Sequence, residues 1–362
     1  MAIDRLTLTQ FRNHAATRLD GTGKLNLLFG ENGAGKTNVL EAISLLAPGR
    51  GLRRAALADI PRSTSGEGFG VSAMINCADG REPVQIGTGS EAQRPGRRLV
   101  HVNGAASPAN ALGEWLGLSW LTPAMDRLFM DSAGARRRYL DRLALALDPG
   151  HAGQAARYDN ALRERNRLLS DEAEPDPDWL EAIEAQMAEC GSALSRTRAA
   201  LVDALGTALD RLPDQPFARP TLTYHAGGPL ARDELADALR ASRRQDRAAR
   251  RTLTGPHRDE LEVRMASKAM PASECSTGEQ KAMLIAITLA HAELAAGERP
   301  RILLLDEVAA HLDPLRREAL FERLRAGTTQ VWMTGTERAP FAAIGNQAAT
   351  WKITQGEARR AS

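Results

Sequence analysis

Apolar residues recur along this chain at two different periods, and the period changes twice. Up to about residue 122 short alternating or wholly apolar runs dominate, which predicts strands near 3–8, 25–29, 70–76, 83–86 and 99–102. Ala78-Asp79-Gly80 and Asn103-Gly104 supply turn signals between them. From about 126 to 252 the spacing becomes helical, in segments rich in Ala, Arg, Leu and Glu. Pro175 and Pro177, in SDEAEPDPDW, forbid a continuing helix, so this zone predicts a helical hairpin. Residues 253–362 return to mixed helix and strand. The pattern therefore predicts a discontinuous α/β domain, 1–125 plus 253–362, with a helical domain inserted at 126–252. The insertion is too short and too often interrupted by proline for a long coiled-coil arm. No run approaches a membrane span, and the N-terminus, with Ile3, Leu6 and Leu8 apolar and charges early, reads as a strand instead of a signal peptide.

One predicted strand, Leu25 to Phe29, is followed by Gly30, Glu31, Asn32, Gly33, Ala34, Gly35, Lys36 and Thr37, which match G-x-x-x-x-G-K-[ST]. The glycines let successive backbone N–H groups face phosphate oxygens, and the helix that starts near Lys36 adds its positive end. Lys36 is placed to reach the β and γ phosphates of a nucleoside triphosphate, and the Thr37 hydroxyl to ligate Mg²⁺. A plain Gly-rich turn is the alternative, but the strand and helix on either side fit the phosphate loop.

A second apolar run, Ile302 to Leu305, ends in Asp306 and Glu307. Open α/β sheets hold their ligands beyond the C-terminal ends of strands. Asp306 is placed to hold magnesium and Glu307 to polarise an attacking water. Between the two motifs, Ser276, Thr277, Gly278, Glu279 and Gln280 open a long apolar helix. Ser276 with Glu279 makes a capping box, and a helix start of this kind is also an anion site. The order of these motifs resembles an ABC-type ATPase, whose signature helix serves the γ-phosphate bound by a partner head. That resemblance implies ATP sandwiched between two copies, with Ala310-His311-Leu312-Asp313 as the D-loop and Asp313 at the seam.

Charge and composition narrow the setting. With 47 basic and 45 acidic residues, a nucleic-acid surface has to be a local patch. Positive charge is almost all arginine, a preference that suits phosphate recognition and that genome composition explains equally well. Arg240, Arg243, Arg244, Arg247 and Arg251 fall on one face of a predicted helix; they fit either a DNA-backbone stripe or a solvated face. Arg50 and Arg53 follow the phosphate-loop helix; their position resembles that of the arginine loop in SMC-like heads, a resemblance that implies coupling of DNA to ATP. Arg136 to Arg138 suit a structural or partner role. His257, Arg258 and Asp259 lack a nucleophile or metal set and suit a charged turn. Few aromatics accompany the basic runs, which favours duplex backbone contact over base stacking. Cys77, Cys190 and Cys275 lie far apart with no metal-ligand spacing, as in a reducing interior.

Over nearly its whole length the chain resembles the RecF family, relatives of the SMC and Rad50 heads. The likeness rests on LTLTQFRNH at 6–14, GENGAGKTNVLEAI at 30–43, GRGLR at 49–53, VNG at 102–104, RRRYLDRLALALDP at 136–149, RNRLL at 165–169, TGPHRDEL at 254–261, STGEQKA at 276–282 and LLLDEVAAHLD at 303–313. It implies a two-lobed ABC ATPase head with a helical insertion like a shortened SMC arm. It also implies a cytoplasmic, ATP-dependent homodimer that uses ATP and Mg²⁺ and grips DNA, duplex or gapped, at single-strand to duplex junctions. RecR and RecO are the implied partners, in loading RecA during recombinational repair and the SOS response. Two departures bear on mechanism. Pro123-Ala124-Met125-Asp126 stands where the family commonly has Pro-Glu-Asp, so only Asp126 retains a phosphate-sensing role. QVWMTGTE has Thr334 and Thr336 where transporter ATPases place a histidine, which implies slow hydrolysis, suited to a switch. An SMC-like structural tether, or the head of a nuclease complex, is the alternative.

Overall fold

The computed structural model describes residues 2–63, 66–76, 82–171, 173–213, 215–294 and 299–361. By compactness the chain divides into two units, 1–126 with 288–362, and 127–287. The sequence-based boundary at 253 falls inside the second unit, because the strands that follow it pair with one that precedes it.

The first unit contains two six-stranded sheets. Strands β1 (Ile3–Phe11) and β2 (His14–Asp20) open the chain, followed by β3 (Leu25–Phe29) and helix α1 (Lys36–Ser44). Then come β4 (Phe69–Ile75), β5 (Val84–Glu91), β6 (Arg94–Val102), β7 (Ala105–Ala106), the short α2 (Leu112–Trp115) and β8 (Gly117–Leu121). The antiparallel sheet has the order β2-β1-β4-β5-β6-β7. In β1, Leu6 and Leu8 face the core while Thr7 and Thr9 alternate outward, and a register shift between Ile3 and Arg5 reconciles Ile3 with that face. Asn103 and Gly104, both at positive φ, make the β6–β7 turn that the sequence signals. The other expected turn, Ala78-Asp79-Gly80, lies outside the described residues.

The second sheet of this unit has the order β15-β14-β3-β13-β12-β8, using β12 (Arg301–Leu305), β13 (Gln330–Gly335), β14 (Ala348–Thr354) and β15 (Glu357–Ala361), with helix α8 (Pro314–Ala326) between β12 and β13. All of its strands run parallel except β15. β3 and β12 are nearly continuous apolar runs because both faces are covered. The polar intruder in β3, Asn26, is fully buried and satisfied by the Gly23 backbone and the Val331 carbonyl.

The second unit holds helices α3 (Ala133–Leu147), α4 (His151–Ser170), α5 (Pro177–Asp210) and α6 (Arg232–Ala249), and a three-stranded sheet β11-β10-β9. Its strands are β9 (Pro220–His225), β10 (Glu260–Met265) and β11 (Met270–Pro271). The expected hairpin is α4–α5, and Asp176 starts α5 by accepting from the Asp178 and Trp179 N–H groups, with Pro177 at the first helical position. Helix α7 (Thr277–Leu294) leads out of this unit. Strands β2, β7 and β8 in the first zone, and β9 in the helical zone, were not among the expected elements. The apolar positions of β9 are sparse, and only Pro220 is fully buried.

Candidate nucleotide site

β3 carries the chain to the C-terminal edge of the parallel sheet, where residues 30–37 turn into α1. Two glycines are sterically required there. A Cβ on Gly30 would lie 2.2 Å from the Ile353 carbonyl oxygen. One on Gly35, at φ +114°, would lie 2.7 Å from the Asn13 side chain and 2.8 Å from His14 Nε2. Gly35 offers no side-chain cap, and the first turn of α1 carries no acidic residue, so its N–H groups are left for an anion. The buried Lys36 ammonium donates to the carbonyls of Gly30 (2.7 Å) and Glu31 (2.9 Å). Burial lowers its pKa, while Glu307 and Asp306 act in the opposite sense.

β12 ends beside β13 and β8, and Asp306 follows at the sheet edge where the phosphate loop begins. The Asp306 Oδ1 accepts from the Thr37 hydroxyl at 2.9 Å and from the Thr334 hydroxyl at 2.7 Å. Thr334 Oγ1 in turn accepts the Glu307 N–H at 2.9 Å, and Thr336 is exposed. Glu307 has φ +54°, a conformation uncommon for any residue but glycine. Among the described residues no group of three or more His, Cys, Asp or Glu side chains could hold a metal. The Thr37 hydroxyl and Asp306 carboxylate do fit Mg²⁺, which takes few protein oxygens and completes its shell with phosphate and water. Asp126 sits half-buried just after the turn Pro123–Met125 that follows β8.

The β1–β2 turn braces the phosphate loop, a role that sequence reading did not assign. Asn13 Nδ2 donates to the Ala34 carbonyl at 3.0 Å, and Asn38 Nδ2 donates to Asn13 Oδ1 at 2.7 Å. The His14 ring, fully buried, lies between Thr17 Oγ1 (2.8 Å) and the Gly35 carbonyl (3.1 Å). Arg12 forms a two-point pair with the buried Glu41 of α1, at 3.0 and 2.6 Å. Arg53 also reaches Glu41 (3.1 Å) and Asn38 (2.7 Å), whereas Arg50 is exposed. The signal was a cluster of polar residues, Arg12, Asn13 and His14, between two strands. Its partners in the phosphate loop and α1 lie 21 to 29 residues away, beyond local pattern reading.

At the start of α7 the capping box is formed. Ser276 N–H and Oγ donate to Glu279 Oε2 at 3.0 and 2.9 Å, and the Glu279 N–H donates to Ser276 Oγ at 3.4 Å. Lys268 donates to the same carboxylate, and together these contacts lower the Glu279 pKa to about 2. Ser276, Thr277 and Gly278 are exposed, and Gln280 is buried with its Nε2 on the Cys275 carbonyl. Asp313 is the N-cap of α8, accepting the Arg316 N–H at 3.0 Å.

The arginine stripe on α6 is largely spoken for within its own unit. Arg243 makes a two-point pair with the buried Glu184 of α5, Arg240 pairs with Asp237 and Glu181, and Arg247 donates to the Asp171 and Ala173 carbonyls. Arg244 and Arg251 are exposed. Asp246 points inward to Arg165, which also binds Glu184, Thr252 and the Leu239 carbonyl. Arg136 bridges to Glu260 and Arg137 to the Asp259 carbonyl; Arg138 is exposed. Asp259 is a buried hub that accepts from Arg198 (2.7 Å), Ser195 (3.2 Å), Tyr224 and the Gly227 N–H (2.8 Å). His257 is held between the Tyr158 hydroxyl and the Thr252 carbonyl, and Arg258 is exposed. These residues organise the second unit around buried charge.

A phosphate loop and a strand-end aspartate, meeting at the edge of a parallel sheet in a unit that also carries an antiparallel sheet, define an ABC-type ATPase head. The SmcHead in a crystal structure with the C-winged helix domain of ScpA superposes with a TM-score of 0.55 at 15% identity, covering 100% of this chain and 98% of that one. The solved recombination mediator protein RecF with ATPrS, from the RecFOR pathway, reaches a TM-score of 0.86 at 23% identity, covering 99% and 98%. At those identities the likeness speaks for the fold. A family model, the RecF/RecN/SMC N terminal domain, matches residues 2–358. A Mesorhizobium japonicum protein named DNA replication and repair protein RecF is 49% identical over 369 residues, 98% of this chain and 96% of its own length. The same-named protein of Rhizobium leguminosarum bv. trifolii is 46% identical over 371 residues, 99% of this chain and 98% of its own length. The chain belongs to the RecF family.

Proposed function

We propose that the protein is an ATP-operated DNA clamp of replication and recombinational repair, acting in the cytoplasm. The observation that carries this reading is the Thr37–Asp306 hydrogen bond, which sets a phosphate loop against a strand-end carboxylate. The Lys36 ammonium and the N–H groups of Gly33, Gly35, Lys36 and Thr37 bind the β and γ phosphates of ATP. Thr37 and Asp306 hold Mg²⁺, which neutralises phosphate charge when bound. Glu307 takes a proton from a water whose oxygen attacks the γ-phosphorus while the bond to the β–γ bridging oxygen breaks, leaving ADP and phosphate.

Dimerisation uses the exposed start of α7, where Ser276, Thr277 and Gly278 offer an anion site to ATP on a second copy, with Asp313 at the seam. Hydrolysis is slow and works as a release switch. DNA contacts fall to the arginines not held by carboxylates, chiefly Arg50, Arg244 and Arg251, and the preferred DNA is a gap or single-strand to duplex junction. RecR and RecO are the protein partners, with RecA loading as the outcome; relatives of this chain carry the replication and repair name, and the solved RecF is described in the RecFOR pathway. No described helix is long and apolar enough to cross a membrane. The test is ATP turnover with and without gapped duplex: wild type hydrolyses slowly and faster with DNA, and Glu307→Gln binds ATP without turnover. Turnover that survives in Glu307→Gln would overturn the assignment.

A further inference from the structure

Thr334 is the penultimate residue of β13, and its side chain is buried to about 1% exposure. A hydroxyl has one proton to give. The Glu307 N–H can only donate, so Thr334 Oγ1 accepts it, at 2.9 Å, and the hydroxyl proton goes to Asp306 Oδ1, at 2.7 Å. Nothing is left to donate to a γ-phosphate. The same oxygen of Asp306 accepts the Thr37 hydroxyl, so three segments converge: α1, the end of β12 and the end of β13. Glu307 is meanwhile held at φ +54° by a backbone N–H whose partner is Thr334. Non-glycine residues keep such a conformation only where surrounding bonds over-determine it.

We infer that Thr334 is a positioning residue and not a phosphate sensor: one hydroxyl fixes both the carboxylate that faces the metal and the backbone turn that aims Glu307. This rests on the ATPase reading of the site. Thr334→Val keeps the shape and removes both bonds; Thr334→Ser keeps both, and Thr334→Ala stands in if valine disturbs folding.

Three quantities decide it: the affinity for a fluorescent ATP analogue across a Mg²⁺ titration, the ATP-over-ADP preference, and single-turnover hydrolysis. Thr334→Val is expected to need about ten- to a hundredfold more Mg²⁺ for half-maximal tightening of nucleotide binding, the range seen for groups that orient a metal ligand. Its hydrolysis falls by a similar factor, while its affinity in EDTA and its ATP-over-ADP preference match wild type. Thr334→Ser stays near wild type on every readout. An unshifted Mg²⁺ dependence in both Thr334→Val and Thr334→Ala overturns the inference. So does a lost ATP-over-ADP preference with unshifted Mg²⁺, which would make Thr334 a sensor. Wild-type protein that binds no nucleotide would overturn the ATPase reading and this inference together.

Discussion

The Thr37 hydroxyl and the Asp306 carboxylate meet at 2.9 Å although 269 residues separate them in the chain. One stands on the first turn of α1 and the other just beyond β12, and parallel pairing of β12, β13 and β3 brings those two places to one sheet edge. A phosphate loop is common to many proteins; this pairing sets beside it a carboxylate from the far end of the sequence.

Lys36 is the first residue to remove. Its ammonium is already held by two carbonyls of its own loop, and the phosphates of ATP would replace them with charge-assisted bonds. Lys36→Ala is expected to weaken ATP binding roughly ten- to a hundredfold, the worth of a hydrogen bond between charged groups. Calorimetry checks this, with a cooperative thermal melt as the control that the variant is folded.

The second unit depends on Arg198. It donates to Asp141 at 2.8 and 2.9 Å, to Asp259 at 2.7 Å and to the Pro256 carbonyl at 2.7 Å. Arg198→Met leaves two carboxylates without their cation, at a cost of about 3–5 kcal/mol. Urea unfolding should show the loss, and hydrogen exchange should locate it in α5 and the β9–β10 pair.

Much of this was legible in the sequence, and the reason is locality. The strand, glycines, Lys36 and Thr37 lie in one run, as do Ile302 to Leu305 with Asp306 and Glu307, and short-range pattern carries both. The brace from Asn13 and His14 could not be read that way, since Ala34, Gly35 and Asn38 follow a strand of the other sheet and are reached only by tertiary packing. The α6 stripe shows the opposite failure: Arg240, Arg243 and Arg247 share a face as the spacing predicts, but Arg243 meets Glu184 across 59 residues. Periodicity gives the face and not what covers it.

That distinction sorts the arginines by experiment. Arg243→Ala removes one of two partners of a buried carboxylate and should cost stability, about 1–3 kcal/mol, with DNA affinity unchanged. Arg244→Ala and Arg251→Ala should leave stability alone, weaken DNA binding, and each reduce the slope of log affinity against log salt by about 1. Thermal melts and a salt series of binding curves measure both.

A pH dependence follows from two buried imidazoles. Burial lowers the pKa of His14 and of His257 below the ordinary 6.5. The unfolded chain therefore takes up protons first as pH falls through 6.5, and stability drops until each folded pKa is passed. The slope is at most about 1.4 kcal/mol per pH unit for each imidazole. Above about pH 7.5, where the unfolded imidazoles are also neutral, neither contributes a slope. Urea midpoints between pH 5 and 7.5 should fall toward acid in wild type, and less steeply in a His14→Gln, His257→Gln double variant.

If ATP closes two copies of this chain on DNA, Glu307→Gln, which should bind ATP without turning it over, isolates that step. The decisive measurement is its affinity for gapped duplex DNA, with and without ATP and Mg²⁺, together with the mass of the complex. Tighter binding with ATP, with two protein copies on the DNA, is the expected result. Equal affinity in both conditions, with one copy bound throughout, would contradict it.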